Sequence, residues 1–311
     1  MTQMLTLSGI PAGAYAFGTM QFGGNAGAEE SQEMYDACRA AGIAHYDTAN
    51  VYTEGASETL LGAMIAKERE TVFVATKAGY TGGAGAANLK TQFDVSRRRL
   101  DADVVDLLYL HRFDPNTDLR ETMQAFAELK DGGMIRYVGL SNFAAWQVVK
   151  ANQIAGEFGI SVDALQPMYN LVKRQAEVEI LPMCEDQGIT PVPYSPLGGG
   201  LLTGKYADGG SGRLSQDHRY AARYGQDWMH LTARALSALA ADRGVSPATL
   251  AVAWVAAHPT APIPIISARS VAQLGPSLSA LSYNLDPELY EAMSELSPRP
   301  APATDRLEEQ A

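Results

Sequence analysis

Short apolar runs alternate with helical patterns along almost the whole of this 311-residue chain. Eight apolar runs predict strands at 14–17, 43–48, 72–76, 105–110, 135–140, 162–165, 189–192 and 263–266. Helical patterns follow them at 29–41, 57–65, 89–100, 119–130, 144–156, 175–187, 231–243, 247–258 and 271–281. Consecutive strands that are joined by helices run parallel, so the pattern predicts a buried sheet covered by helices. Eight units favour an α/β fold of the (β/α)8 TIM barrel class over an open, doubly wound sheet.

No change in composition marks a linker, so residues 1–311 are predicted to form a single barrel domain. A long loop is predicted after the seventh strand, at 196–227, and an extra C-terminal helix at 288–296. The proline-rich tail at 298–311 is predicted to be mobile.

Polar side chains stand at or just beyond the carboxyl ends of six different predicted strands. They are Asp47, Lys77, His111, Ser141, Gln166 and Tyr194. An open sheet would spread these positions along a line, whereas a barrel gathers them around one mouth, where barrel enzymes have their active sites. This distribution favours closure and predicts a functional site at the carboxyl end of the barrel.

Four side chains from neighbouring units suit the reduction of a carbonyl group. Tyr52 is the candidate acid, although a free phenol with a pKa near ~10 is a poor proton donor at neutral pH. We expect the ammonium of Lys77 to lower that pKa, and Asp47 to pair with Lys77. His111 can hydrogen-bond the substrate oxygen. In this scheme a hydride reaches the carbonyl carbon while Tyr52 protonates the oxygen.

Taken singly, each of these residues has an ordinary structural explanation as a turn residue, a packing contact or a solvated charge. A metal-assisted barrel hydrolase is an alternative, because His45 and Asp47 share a strand face and could bind a metal together with His111. The sequence contains no His-x-His motif, and Lys77 would repel a cation.

The composition limits the kinds of partner that the protein is expected to bind and the cellular compartment in which it is expected. A formal net charge of −11 and a pI of about 4.9 argue against nucleic acid or an anionic membrane as the main partner. The two cysteines, Cys38 and Cys184, stand outside any CxxC motif, which is typical of reduced structural thiols. No apolar run approaches 18 residues. We therefore expect a soluble, cytoplasmic protein.

A series of motifs resembles the signatures of the aldo-keto reductase family, including its bacterial members. The matching stretches are 45–49 with Tyr52, Gly55, 57–58 and 61–62; then 76–77, 108–111, 139–143, 166–171 and 194–197. The resemblance extends from about residue 19 to residue 281. It implies reduction of aldehydes or ketones, sugar-derived carbonyls among them, with Tyr52 as the proton donor. Asp47 and Lys77 would tune Tyr52, and His111 would orient the carbonyl.

The resemblance also implies a cofactor, NADPH (NADP+), that is bound without a Rossmann fold. The implied cofactor contacts are Thr19, Met20, Asp47, Ser141, Asn142, Gln166, Tyr194, Ser195, Pro196, Leu197, Gly199, Lys205, Ser267, Arg269 and Gln273. Among them, Tyr194 would stack on the nicotinamide and Arg269 would bind the 2′-phosphate. Use of NADH stays open, because Ser267, Pro276 and Ser277 depart from the family's pattern.

The expected substrate is a small-molecule carbonyl compound, in a pocket lined by apolar and aromatic side chains. The predicted lining is Met20, Phe22, Tyr80, His111, Phe113 and Trp146. Arg213, Arg219 and Arg223 are mainly expected to be solvated charges of the long loop. A cofactor-binding regulatory subunit, like the channel-associated members of the family, is the second alternative. The oligomeric state stays open.

Overall fold

Eight parallel strands form one sheet in the order β7-β6-β5-β4-β3-β2-β1-β8 in the computed structural model, which describes residues 2–206 and 210–310. The strands are β1 Ala16–Gly18, β2 His45–Asp47, β3 Phe73–Ala78, β4 Val105–Leu110, β5 Ile135–Ser141, β6 Ala164–Gln166, β7 Thr190–Pro191 and β8 Ile265–Ile266. The helices that alternate with them are α1 Ala28–Ala40, α2 Ala56–Ile65, α3 Ala86–Leu100, α4 Leu119–Asp131, α5 Ala145–Glu157 and α6 Ile180–Gln187. The predicted α/β class is confirmed.

The sheet closes on itself between β7 and β8. Tyr194 and Ile265 form a parallel bridge just beyond β7, and the backbone N–H of Ile265 donates to the carbonyl oxygen of Pro193 at 2.9 Å. The N–H of Ile263 donates to the oxygen of Pro191, also at 2.9 Å. Because β8 pairs with β1 on its other side, these bonds complete the (β/α)8 barrel.

The barrel interior is filled by side chains from alternate strand positions, including Phe73, Leu107 and Tyr109. Gly139 on β5 lies opposite Tyr109 on β4, and a Cβ at this position would overlap the tyrosine ring. At the amino end of the barrel, Met4 and Ala12 pack into the same interior cluster. The barrel is therefore a packed core whose carboxyl end carries the open mouth.

The remaining helices surround the second half of the barrel. They are α7 Arg213–Gln216, α8 His218–Tyr224, α9 Asp227–Asp242, α10 Pro247–Ala256, α11 Val271–Leu278 and α12 Pro287–Ser294. Side-chain oxygens of Ser246, Ser270 and Asp286 cap the N-termini of α10, α11 and α12. The extra C-terminal helix predicted at 288–296 corresponds to α12. No helix within 2–206 or 210–310 combines the length and the apolar character that crossing a membrane would require.

The structure differs from the predictions in the loop after β7 and in the bounds of several elements. The stretch predicted as a loop at 196–227 contains a 3-10 segment, Gly198–Thr203, and the helices α7 and α8. Asp217 caps α8 by accepting from the N–H of Arg219, and the ring of Tyr220 stacks on that of Tyr224. The first strand begins at Ala16, two residues later than predicted, because Ala16 is the first residue paired with β2 and β8. Like β1, the strands β2, β6 and β8 begin two residues later than predicted, and α6 begins at Ile180 instead of at residue 175. Residues 207–209 of the loop and residue 311 of the tail lie outside the described residues.

Candidate active site

A cavity of about 860 Å³ opens at the carboxyl end of the barrel, within the roughly 300–1,000 Å³ that is usual for ligand pockets. The cavity is lined by most of the residues that the sequence singled out. They are Met20, Asp47, Tyr52, Tyr80, His111, Ser141, Asn142, Gln166, Tyr194, Ser195, Pro196, Leu197, Gly199, Lys205, Ser267, Arg269 and Gln273.

A buried ion pair lies at the floor of this cavity. The ammonium of Lys77 donates to Asp47 Oδ1 and to the carbonyl oxygen of Thr48, the latter at 2.7 Å. The other carboxylate oxygen, Oδ2, accepts from Gln166 Nε2 at 2.8 Å. The side chains of Lys77 and Asp47 are 0% and 3% exposed. Burial disfavours the ammonium, but the negative charge of Asp47, together with interactions with Tyr52, outweighs this effect, so the pKa of Lys77 is raised.

Tyr52 meets this pair from the loop that follows β2. Its hydroxyl lies 3.3 Å from Lys77 Nζ. The backbone turns sharply after it, with positive φ at Thr53, Glu54 and Gly55. The hydroxyl of Thr53 holds the turn by donating to the carbonyl oxygen of Phe22 at 2.7 Å. The phenol is therefore aimed into the cavity by a constrained loop.

The net shift of the Tyr52 pKa is opposite to the one expected from the sequence. Burial raises the pKa of Tyr52, and Lys77 lowers it without overcoming that effect. Tyr52 is consequently a phenol at neutral pH, which is the form that can donate a proton. Lys77 still favours the phenolate that donation would produce.

His111 stands beside Tyr52 in its neutral form. The centroids of the two rings are 6.0 Å apart at an interplanar angle of 84°. Burial, followed by the charges of Lys77 and Arg112, lowers the pKa of His111 to about 3. The buried Nδ1 has no hydrogen-bond partner among the described residues. A neutral imidazole of this kind can orient a carbonyl oxygen by a hydrogen bond, but it does not act as a cationic acid.

A row of polar groups extends from the ion pair across the ends of β5, β6 and β7. The amide nitrogen of Asn142 donates to the backbone oxygen of His111 and to Ser141 Oγ, both at 3.0 Å. The hydroxyl of Tyr194 donates to Asn142 Oδ1 at 2.7 Å. These side chains, together with Gln166, offer both donors and acceptors on one wall of the cavity, as an amide ligand requires.

The loop after β7 approaches the cavity with a glycine-rich backbone. Gly198, Gly199 and Gly200 have φ values of +56°, +65° and +93°, a region in which other residues are strained. The N–H groups of Gly198 and Gly200 donate within the loop, to the carbonyl oxygens of Ser195 and Leu197, both at 2.9 Å. The absence of side chains lets phosphate oxygens approach this backbone closely, and Lys205 adds a positive charge beside it. Arg269 lies at the start of α11, near Gln273.

The hydrogen-bonding and charged groups of the cavity are of the kinds that a nicotinamide dinucleotide requires. The amide-binding wall, the glycine loop with Lys205, and Arg269 correspond in order to a carboxamide, a pyrophosphate and a further phosphate. The glycine positions supply backbone that a side chain would cover.

Four of the residues predicted as cofactor or substrate contacts do not line the cavity. Thr19 is buried, and its hydroxyl bonds to Ser57 Oγ at 2.8 Å and to the oxygen of Asp47 at 3.1 Å. Phe22 is fully buried and packs against Phe17. Phe113 and Trp146 pack against each other, at 6.1 Å between centroids. None of the four lines the cavity.

Other side chains that the sequence did not single out do line it. Arg112 follows His111 directly, which was the available signal, and Tyr220 belongs to α8. Of the loop arginines, Arg213 and Arg223 flank the ring of Tyr220 and line the cavity. Arg219 is exposed and pairs with Asp217, as expected for a solvated charge.

The proposed metal set is not assembled. His45 lies in the barrel interior with its ring against Phe73, 4.7 Å between centroids, and neither ring nitrogen has a partner in the described part of the chain. Within the described residues, no group of three or more His, Cys, Asp or Glu side chains is arranged to hold a metal ion. The hydrolase alternative loses its structural support.

Comparison with known proteins assigns a family to this arrangement. The model of the aldo/keto reductase family matches residues 15–298. An uncharacterised oxidoreductase of Bacillus subtilis, YrpG, is 31% identical over 96% of both chains. A probable voltage-gated potassium channel subunit beta of rice is 32% identical over 88% of this chain and 89% of its own. The L-glyceraldehyde 3-phosphate reductase of Escherichia coli is 30% identical over 88% of this chain and 86% of its own.

Proposed function

Because the chain belongs to the aldo/keto reductase family, we propose that it reduces small aldehydes and ketones with NADPH, and that Tyr52 donates the proton. The observation that carries the proposal is the phenol of Tyr52 at 3.3 Å from the buried ammonium of Lys77, on the wall of the cavity. The neutral ring of His111 lies beside the same phenol, with 6.0 Å between the ring centroids.

The chemistry divides between the bound cofactor and the chain. A reduced nicotinamide supplies a hydride to the carbonyl carbon. Tyr52 and His111 hold the carbonyl oxygen, and the proton of the Tyr52 hydroxyl moves to that oxygen as negative charge develops on it. Lys77 stabilises the phenolate that remains, and Asp47 keeps the ammonium from being an unpaired buried charge.

The residues on the amide-binding wall act by positioning. Ser141, Asn142 and Gln166 offer hydrogen bonds that fix the orientation of a carboxamide. The aromatic ring of Tyr194 lines the cavity beside them and gives a flat face for stacking. NADPH is favoured over NADH because the guanidinium of Arg269 is free of salt bridges among the described residues and suits a 2′-phosphate.

A second candidate function is a cofactor-binding regulatory subunit. It is favoured by the similarity to the rice protein, which is named as a potassium channel subunit beta. The complete set of Asp47, Tyr52, Lys77 and His111 around one cavity favours the reductase function, because a subunit that only binds the cofactor does not need a proton donor.

The test is a turnover assay that follows the absorbance of the reduced nicotinamide. The purified chain is mixed with NADPH or NADH and a panel of uncharged aldehydes and ketones. We expect oxidation of the cofactor with at least one carbonyl compound, and a lower KM for NADPH than for NADH. Cofactor binding without turnover of any compound would favour the regulatory function and contradict the reductase proposal.

A further inference from the structure

We propose that the carbonyl substrate of this site carries an anionic group, a phosphate or a carboxylate, and that Arg112 binds it. The inference rests on the proposed reductase function and names the substrate class of that same site. It depends on three properties of the Arg112 guanidinium: its position in the cavity, its contact with the Tyr80 ring, and its N–H groups, which have no hydrogen-bond partner among the described residues.

Arg112 occupies the end of the cavity where the carbonyl group is expected. It is the residue after His111, at the carboxyl end of β4. Its guanidinium carbon lies 4.8 Å from the centroid of the Tyr80 ring, and that ring lies 4.8 Å from the imidazole of His111. The tilted ring of Tyr80 therefore lies in contact with both the imidazole that orients the carbonyl and the positive charge of Arg112, which is an exposed residue.

Among the residues that the structure describes, the guanidinium has no partner that would use its N–H groups. Within 2–206 and 210–310 Arg112 forms neither a hydrogen bond nor a salt bridge. The nearby carboxylate of Asp114 bonds to other groups: its Oδ2 accepts from the hydroxyl of Thr117 at 2.6 Å and the N–H of Ala84 at 2.9 Å, and its Oδ1 accepts from the N–H of Asn116 at 3.0 Å. These hydrogen bonds lower the pKa of Asp114, and the charge of Arg112 lowers it to a smaller extent. Stacking on an aromatic ring leaves the edge of a guanidinium free, and that edge matches the oxygens of a phosphate or a carboxylate.

The cations assigned to the cofactor lie on the opposite side of the mouth. In the closed order of eight strands, β4 and β8 are four strands apart in either direction, so Arg112 faces Arg269 across the barrel. Lys205 belongs to the glycine loop after β7. Arg112 is thus a separate cation that the phosphates of a dinucleotide on the far side do not require.

The charge balance of the cavity points the same way. Among the described residues, Asp47 is the one acidic side chain in its lining, and Lys77 neutralises it. The chain as a whole carries a formal charge of −11, so a cationic end of the cavity is a local feature and does not reflect a basic surface. Such an end raises the local concentration of anionic substrates.

The experiment compares matched substrates in matched variants. The first pair is glyceraldehyde and glyceraldehyde 3-phosphate, and the second is butanal and succinate semialdehyde. The chain and its Arg112→Gln, Arg112→Lys and Arg98→Gln variants are assayed for kcat and KM with each compound. Arg98 is exposed on α3, away from the cavity, so Arg98→Gln removes the same charge without touching the site.

We expect Arg112→Gln to lower the ratio of kcat/KM for the anionic compound to that for its neutral partner by about tenfold to a hundredfold, mainly through KM, because the lost contact is a charge-assisted hydrogen bond. Arg112→Lys should retain part of the preference, and Arg98→Gln all of it. A loss confined to the first pair identifies phosphate, and one confined to the second identifies carboxylate.

Two failures are distinguishable. Turnover of the neutral compounds with the same anionic-to-neutral ratio in the wild type and Arg112→Gln would overturn the anion site and leave the reductase function standing. Absence of turnover with all four compounds would count against the reductase function itself.

Discussion

Replacing Lys77 with methionine should destabilise the fold because it leaves a buried charge without its partner. The side chains of Lys77 and Asp47 are almost completely buried, and the ammonium contacts both Asp47 and the carbonyl oxygen of Thr48. Breaking a buried ion pair from one side typically costs about 3–5 kcal/mol. Asp47 keeps its hydrogen bond from Gln166, so we expect a loss near the lower end, about 3 kcal/mol at pH 8.

The loss should depend on pH in a defined direction. Burial raises the pKa of Asp47, and Lys77 is the main group that opposes this. Without Lys77 the pKa of Asp47 should be higher in the native state than in the unfolded chain. Over the pH range between these two pKa values, the native state binds a proton that the unfolded chain has released. The free energy of unfolding of Lys77→Met should therefore fall, relative to the wild type, as the pH rises from 5 to 8.

The assay is urea denaturation followed by tryptophan fluorescence at pH 5 and pH 8. Asp47→Asn in the Lys77→Met background removes the unpaired carboxylate and should recover part of the loss at pH 8. Lys90→Met is the matched control, because the Lys90–Glu128 pair is about half exposed on both sides and should contribute little. A Lys77→Met variant as stable as Lys90→Met at pH 8 would refute the argument.

Two further predictions concern packing and protonation. Gly139→Ala places a methyl group against the ring of Tyr109 and should lower the free energy of unfolding, measured by urea denaturation, by about 1–3 kcal/mol. Gly156→Ala is the control, because Gly156 has open space around it, and it should not destabilise the protein. Equal effects of the two substitutions would contradict the packing of Gly139 against Tyr109. Burial lowers the pKa of both His111 and His45 to about 3, so the native state resists protonation and stability should decrease as the pH falls below about 6.5. His111→Asn should make this decrease shallower between pH 7 and pH 5, and an unchanged pH dependence in urea denaturation would contradict the buried neutral imidazole.

Much of the framework could be predicted because it depends on local patterns. The β4 run, Val105–Leu110, is apolar on both faces except for Asp106, and the structure buries all of it. The site residues at strand ends could also be predicted, since closure of a barrel brings the ends together whatever the details of packing. Asp47, Ser141 and Gln166 stand at such ends and share one cavity.

The sequence misplaces side chains just beyond the end of β1, where the backbone is no longer extended and successive side chains no longer alternate between the two faces of the sheet. After β1 the N–H of Phe22 donates to the carbonyl oxygen of Thr19 at 2.9 Å, so the backbone turns. Met20 and Gln21 then line the cavity, while Phe22 enters the core. A period of two residues holds only for extended backbone, and the sequence gives no measure of where that turn begins.

The direction of a pKa shift that depends on burial could not be predicted from the sequence either. Lys77 was correctly expected to favour the phenolate of Tyr52, but the net direction of the pKa follows from how completely the phenol is removed from solvent. The short helix α8 depends in the same way on contacts made by Tyr220 and Tyr224, which the surrounding loop pattern does not reveal.

The role of Tyr52 as proton donor is tested by the effect of Tyr52→Phe on turnover, measured alongside cofactor binding. This change removes one hydroxyl and keeps the ring. We expect kcat for a neutral aldehyde to fall by about 10²–10⁴-fold, the usual contribution of a positioned proton donor. NADPH should still bind, as followed by its fluorescence, because the amide-binding wall and Arg269 are untouched. Turnover by Tyr52→Phe at the wild-type rate would contradict proton donation by Tyr52.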